Sequence, residues 1–203
     1  MSLSVTKWYA RRMVSRAEHR RATLLQISAA TTAAFEAHGA SATFDDVAAR
    51  AGLSRRTLFR YVESREDLLF IHPMLWLEIF DDAVAEKQHE SLRDRMMFAS
   101  RRISEHIDAD PTPVRRAMTA AMSDPAALAR GNANANRKWI DRIASEARGD
   151  ATNDDAIFKA TVLGGAIMGV IDAALGAWFV SNGDVPLVDF VEQGLDYLSP
   201  IIE

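Results

Sequence analysis

The sequence predicts an all-α chain. Three observations carry this: apolar residues recur at three- and four-residue spacing almost throughout, strand-like alternation is absent, and helix-forming Ala, Leu, Arg and Glu dominate between short breaks. With 203 residues, 48% of them hydrophobic, the chain can bury a sizeable core, as one large domain or as a small domain plus a larger one. There is no cysteine, which excludes disulfides, zinc-finger sites and thiol chemistry.

The first helix is expected over 18–38, with Leu24, Ile27, Thr31, Ala34 and Phe35 along one side and Gly39 as its stop. The second is expected over 44–51. Thr43 caps it, Asp45 and Asp46 sit in its electropositive first turn, and Phe44, Val47, Ala48 and Ala51 form its inner stripe. The link "AGLS" (51–54) supplies a permissive Gly, a buried Leu53 and a capping Ser54. Leu53 and Leu58 then occupy the two positions of a hydrophobic staple, which fixes the angle of the third helix. Ser64 caps a fourth helix over 65–87, which Pro73 should kink or interrupt. Further helices are expected over 91–107 and 114–122, then from the "SDP" break to about Ala147, then to Val180, and finally over 187–198. That makes eight or nine in all.

Charge is unevenly placed. The whole chain carries 24 Lys plus Arg against 28 Asp plus Glu, a formal net charge of -4. Residues 1–65 hold eleven bases and five acids, a net +6, which leaves -10 on 66–203. A clustered excess of this kind suggests a local anionic partner; a solvated charged face is the plainer alternative. On a helical wheel Leu58, Phe59 and Val62 define the inner side of the third helix, while Arg56, Thr57 and Arg60 point away from it. Arg55 projects less cleanly outward and is expected to reach a flanking phosphate. Tyr61 lies on the boundary, its hydroxyl within reach of a phosphate.

A short stapled helix that presents arginine to solvent has the form of a helix-turn-helix recognition helix. Arg is the preferred bidentate partner of guanine, and Thr suits the thymine methyl. Backbone amides at the starts of the second and third helices, beside Thr43 and Ser54, are expected to hold phosphates. Arg65 is a candidate phosphate clamp. Lys7, Arg11, Arg12, Arg16, Arg20 and Arg21 form either a minor-groove arm or a solvated extension.

The stretch "TFDDVAARAGLSRRTLFRYVESREDLL" resembles the DNA-binding signature of the TetR family of transcriptional repressors, over roughly residues 18–70. Thr43, the "VAARAGLS" core, Leu58, Tyr61 and "SREDL" fall where the family pattern places equivalents. The pattern differs at three places: Arg56 stands where the family often has Gly, Phe59 where it has Tyr, and Val62 where it has Phe. Losing the hydroxyl at Phe59 removes one phosphate contact, and Arg56 adds a base contact. The resemblance implies a homodimer with a small-molecule pocket in its C-terminal domain, released from a palindromic double-stranded DNA operator by an effector. The implied organisation is a basic arm at 1–17, a three-helix DNA-binding domain at 18–66, and an effector-binding and dimerisation bundle at 67–203.

Within that bundle Trp76, Phe80, Met96, Met97, Met118, Met122, Trp139 and Met168 suit an adaptable pocket for an apolar or amphipathic effector, with ordinary core as the alternative. Asp172 is a candidate for a cationic group of the ligand, or is satisfied by a neighbouring helix. Gly165, Gly169, Ala173 and Gly176, with Phe190 and Leu195 of the last helix, are expected at the dimer surface or packed within the bundle. The apolar stretch at 160–180 has the length of a membrane span, but Asp172 near its middle and its many small residues favour a buried helix and no membrane partner.

The N-terminus has no signal-peptide core, so a cytoplasmic location is expected. No enzyme motif is present, and the five histidines lack ligand spacing, so no catalytic site, metal or cofactor is expected. An activator or an architectural DNA-binding protein without a ligand is the remaining alternative. An architectural protein, however, should be basic overall.

Overall fold

The computed structural model describes the backbone of residues 3–202 and the side chains of residues 18–200. The described residues form nine α-helices: α1 (Leu3–His38), α2 (Phe44–Arg50), α3 (Arg55–Leu58), α4 (Ile71–Glu86), α5 (Leu92–Ala109), α6 (Thr112–Ala121), α7 (Pro125–Arg148), α8 (Asp154–Val180) and α9 (Leu187–Ile202). Two 3-10 turns, Gly39–Ser41 and Glu66–Phe70, join them, and no strand occurs among the described residues. The backbone of α1 is helical from Leu3, ahead of the start expected near residue 18, so no separate arm precedes it. The side chains of Lys7, Arg11, Arg12 and Arg16, assigned to that arm, lie outside the described residues.

The chain divides into two compact units. One comprises residues 1–75 and 117–128, the other 76–116 and 129–203. The division falls inside α4, and α6 and α7 each supply residues to both units.

The first unit is built on α1. Leu24, Ile27, Ala30, Ala34 and Phe35, at helical spacing, are buried against Val47, Ala48 and Ala51 of α2, Leu58, Val62, Leu68, Ile71 and Ala120. Small residues at Ala48 and Ala51 let α2 approach closely. Gln26 of α1 donates its Nε2 to the carbonyl of Ala51 at 2.6 Å, which satisfies a group the helix end leaves open. The Ser64 cap is formed, its Oγ accepting from Asp67 N at 3.1 Å, but it opens a 3-10 turn and not the fourth helix itself. The α-helix starts at Ile71. Pro73 thus sits in its first turn, where an N–H has no helical partner to lose, so the break precedes the proline.

In the second unit Trp76, Phe80, Met96, Ile107, Trp139, Ile143, Ile167, Met168 and Trp178 are buried. Phe80 and Trp139 meet edge to face, with centroids 5.4 Å apart. Arg95 donates to Glu146 at 2.8 Å and Arg142 to Asp81 at 2.6 Å, while Arg93 and Arg101 of α5 pair with Asp196 and Glu192 of α9. Close helix approach needs glycine at one point above all. A Cβ on Gly164 of α8 would lie 2.7 Å from the carbonyl oxygen of Ile140 on α7.

The expectation of a buried α8 holds for one side only. Ala160, Leu163, Gly164, Ile167, Met168, Ala174 and Trp178 are buried. Phe158, Val162, Gly169, Ala173, Gly176 and Val180 instead form an exposed stripe at three- and four-residue spacing. α8 is the one helix among the described residues long and apolar enough to cross a membrane, and a third of its most apolar window is buried.

Candidate nucleic-acid interface

The reading element is assembled by caps. Thr43 and Asp46 form a reciprocal capping box at the start of α2: Thr43 Oγ1 accepts from Asp46 N at 3.1 Å, and Asp46 Oδ2 accepts from Thr43 N at 2.9 Å and from the Thr43 hydroxyl at 2.6 Å. These Thr43 hydrogen bonds hold the Asp46 carboxyl below the usual carboxylate range. The Thr43 hydroxyl proton is thereby committed within the protein, and two carboxylates crowd the α2 N-terminus where a phosphate was expected. Gly52 adopts φ of 61°, the left-handed conformation that the turn requires. Ser54 Oγ then accepts from Thr57 N at 3.1 Å and caps α3. Leu58 is fully buried, and Leu53 packs on the same core.

α3 is only four residues long. Beyond Leu58 the chain tightens, with Arg60 N donating to Thr57 O and Tyr61 N to Leu58 O. Arg56 and Arg60 are exposed and have no ion pair among the described residues. Thr57 is half-buried, its hydroxyl 2.8 Å from that of Ser54. Tyr61 is half-buried, with the Arg20 guanidinium 6.0 Å from its ring centroid. Arg20 and Arg21, expected in the arm, are part of the α1 body.

Three assignments change in the folded chain. Phe59, placed inward on an ideal wheel, is 45% exposed; its ring stacks on Phe44 of α2, with centroids 4.4 Å apart and planes at 12°. The inner side of the third helix therefore narrows to Leu58 and Val62. Arg55, expected to reach for a flanking phosphate, bonds Asp45 at 3.2 Å and lies 5.6 Å from the Phe59 centroid.

Arg65 departs furthest. Its Nε donates to Ala42 O at 2.8 Å, its two terminal nitrogens donate to Asp124 at 2.8 Å and to Ala40 O at 2.7 Å, and the guanidinium covers Phe35 at 4.9 Å. All three nitrogens serve acceptors of the protein, so Arg65 is a packing residue and not a phosphate clamp. Asp45, Gln26 and Asp124 were missed in the sequence, because each finds its partner across 10 to 59 residues and no local pattern signals that pairing.

The residues expected to line an effector pocket fall in both units. Trp76, Phe80, Met96, Trp139 and Met168 are buried and Met97 is half-buried in the second; Met118 and Met122 belong to the first, and Met122 is half exposed. Asp172 is an exposed residue whose carboxylate accepts from Asn136 at 2.6 Å, so a neighbouring helix satisfies it. Of the residues expected at a dimer surface, Gly169, Ala173 and Gly176 are exposed, and Gly165 is half-buried. A Cβ on any of the three glycines would meet open space. Phe190 is half-buried, and Leu195 is fully buried within its own chain, so it cannot be a contact for a second copy.

The family model for bacterial regulatory proteins of the tetR family matches residues 27–70. No curated protein sequence matches the chain. Among solved structures it is similar to the R. erythropolis transcriptional repressor QsdR, at 16% identity and a TM-score of 0.53 over 91% of this chain and 95% of that one. Thermus thermophilus FadR in complex with lauroyl-CoA aligns at 17% identity and a TM-score of 0.55, over 85% and 91% of the two chains. Bacillus subtilis FadR in complex with stearoyl-CoA aligns at 12% and 0.54, over 88% and 97%. These likenesses establish the fold, and the motif at 27–70 establishes more: the chain belongs to the tetR family of bacterial regulatory proteins, and it is a DNA-binding transcriptional regulator.

Proposed function

We propose that this regulator is a cytoplasmic repressor that binds a palindromic operator as a homodimer and leaves it when a small apolar or amphipathic effector binds. The observation that carries the reading is the solvent-facing side of α3. Arg56 and Arg60 stand exposed on a segment held by two caps, a left-handed Gly52 and a buried Leu58. Arg56 reads a base edge in the major groove, Arg55 and Thr57 extend the contact, and Arg60 and Tyr61 hold the flanking backbone.

The second copy packs on the exposed stripe of α8, through Gly165, Gly169, Ala173 and Gly176. An isologous contact of this kind sets two reading heads at a fixed separation, matched by two half-sites. The apolar interior around Trp76, Phe80, Met96, Trp139 and Met168 supports an effector with apolar surface. The two FadR proteins, in complex with lauroyl-CoA and stearoyl-CoA, hold molecules of that class.

Selection of bound sites from random duplex DNA tests the reading. A repressor yields one palindrome, with half-sites about one helical turn apart or a multiple of it, and a ligand screen on that site, with lauroyl-CoA among the probes, finds a molecule that releases the protein. Binding with steep salt dependence and no sequence preference would instead mark an architectural protein.

A further inference from the structure

Asp45 is out of place on a surface that meets phosphates. It is exposed, it lies in the first turn of α2, and it faces α3, where its negative charge opposes DNA binding. Its Oδ2 holds the Nη1 of Arg55 at 3.2 Å. The same guanidinium lies 5.6 Å from the ring of Phe59, which cannot turn freely because it is stacked on Phe44 at 4.4 Å. Arg55 is therefore restrained by a carboxylate on one element and by a supported aromatic ring on its own, whereas Arg56 and Arg60 carry no such restraint among the described residues.

We propose that Asp45 and Phe59 are specificity-determining positioning residues, which aim the Arg55 guanidinium at one guanine of the operator. The inference rests on the regulator reading above and assigns Arg55 the more discriminating contact. A guanidinium recognises O6 and N7 of guanine through two parallel donors, so its selectivity depends on the plane in which it is held. An unrestrained arginine swings as easily to a phosphate, which gains affinity but carries no sequence information. Asp45 leaves the outer donors of Arg55 free and penalises its movement toward the backbone. When DNA covers the pair and removes water, the ion pair strengthens, because screening falls with the local dielectric. A carboxylate placed here thus exchanges affinity for discrimination.

The test is site selection from random DNA with the full chain, followed by binding titrations on the selected site and on random duplex. The position read by Arg55 is the one at which Arg55→Ala flattens base preference. Asp45→Asn is expected to lower discrimination at that position by roughly 5- to 10-fold, a large part of what a bidentate contact supplies. The same substitution should tighten binding to random duplex at low salt, because it removes a repelling charge. Phe59→Leu should lower discrimination there without the gain on random DNA, and Asp45→Glu should restore part of the preference. An unchanged helical spectrum and unfolding temperature for Asp45→Asn exclude a folding defect.

Opposite movement of affinity and selectivity supports the inference. If Asp45→Asn changes affinity alike on every sequence and keeps the base profile, Asp45 is only a surface charge and the inference is overturned, while the regulator reading stands. Should the unmodified protein select no site at all, the regulator reading falls and takes this one with it.

Discussion

Arg56 and Arg65 are both arginines of the same short region, and their surroundings give them opposite work. Arg56 is exposed and free of ion pairs among the described residues, so its removal should leave the fold intact. Arg56→Ala is expected to weaken the selected site by about 1–3 kcal/mol and to relax base choice at one position, read by titration on a panel of single-base variants. Arg65 ties the end of the first helical segment to the α6–α7 turn through Ala40, Ala42 and Asp124. Arg65→Ala leaves two carbonyls and a partly buried carboxylate without their donor, and should cost roughly 2–4 kcal/mol of stability in chemical unfolding. Under conditions where the variant is folded, the salt slope of DNA binding should not change. Asp172 supplies a pH signature. Burial of its carboxylate pushes the pKa above the ordinary value against the opposing hydrogen bond from Asn136. A raised acid favours the folded state fully at pH below the usual carboxylate range, and that contribution is lost as pH rises through the raised value. Asp172→Asn should therefore be slightly more stable than the parent near neutral pH, by less than about 1 kcal/mol given its exposure. The difference should close at pH 3 in thermal scans.

At the scale of elements, the α8 glycines separate into two kinds that look alike in the sequence. Gly164 lies against α7, and a methyl group there collides with backbone, which cannot swing aside as a flexible side chain can. Gly164→Ala should cost about 1–3 kcal/mol, measured by denaturant unfolding. Gly169 faces open space, and alanine there should be neutral or slightly favourable to the helix itself. The reading element shows the same dependence on a neighbour. α3 is too short to be stable by its own hydrogen bonds. Its position comes from the Ser54 cap, the Leu53 and Leu58 contacts with the core, and the α2 segment fixed by Gln26 and the Thr43–Asp46 box.

For the whole molecule, the exposed stripe of α8 is the feature that a single chain does not explain. Gly169→Arg, which adds a long charged side chain in the middle of the stripe, should yield a monomer by sedimentation while the helical spectrum persists. Operator affinity should fall steeply, because two half-sites are then bound independently and the gain from linked binding is lost. A dimer that survives this substitution would move the self-association surface elsewhere.

Local signals made the fold class, the capped α2, the glycine turn and the start of α3 legible in the sequence, because caps, staples and helical periodicity act over a few residues. The family followed from the same stretch, since caps, turn and buried positions agree within one continuous segment. Tertiary structure decided what depends on distant neighbours. The acceptors of Arg65 lie up to 59 residues away, Phe59 turns outward because Phe44 offers it a ring, and Leu195 is buried by its own chain. Periodicity says that a residue faces a partner. Only the packed chain says which partner stands there, and at Gly164 and Gly169 that difference separates a contact inside the protein from a surface open to a second copy.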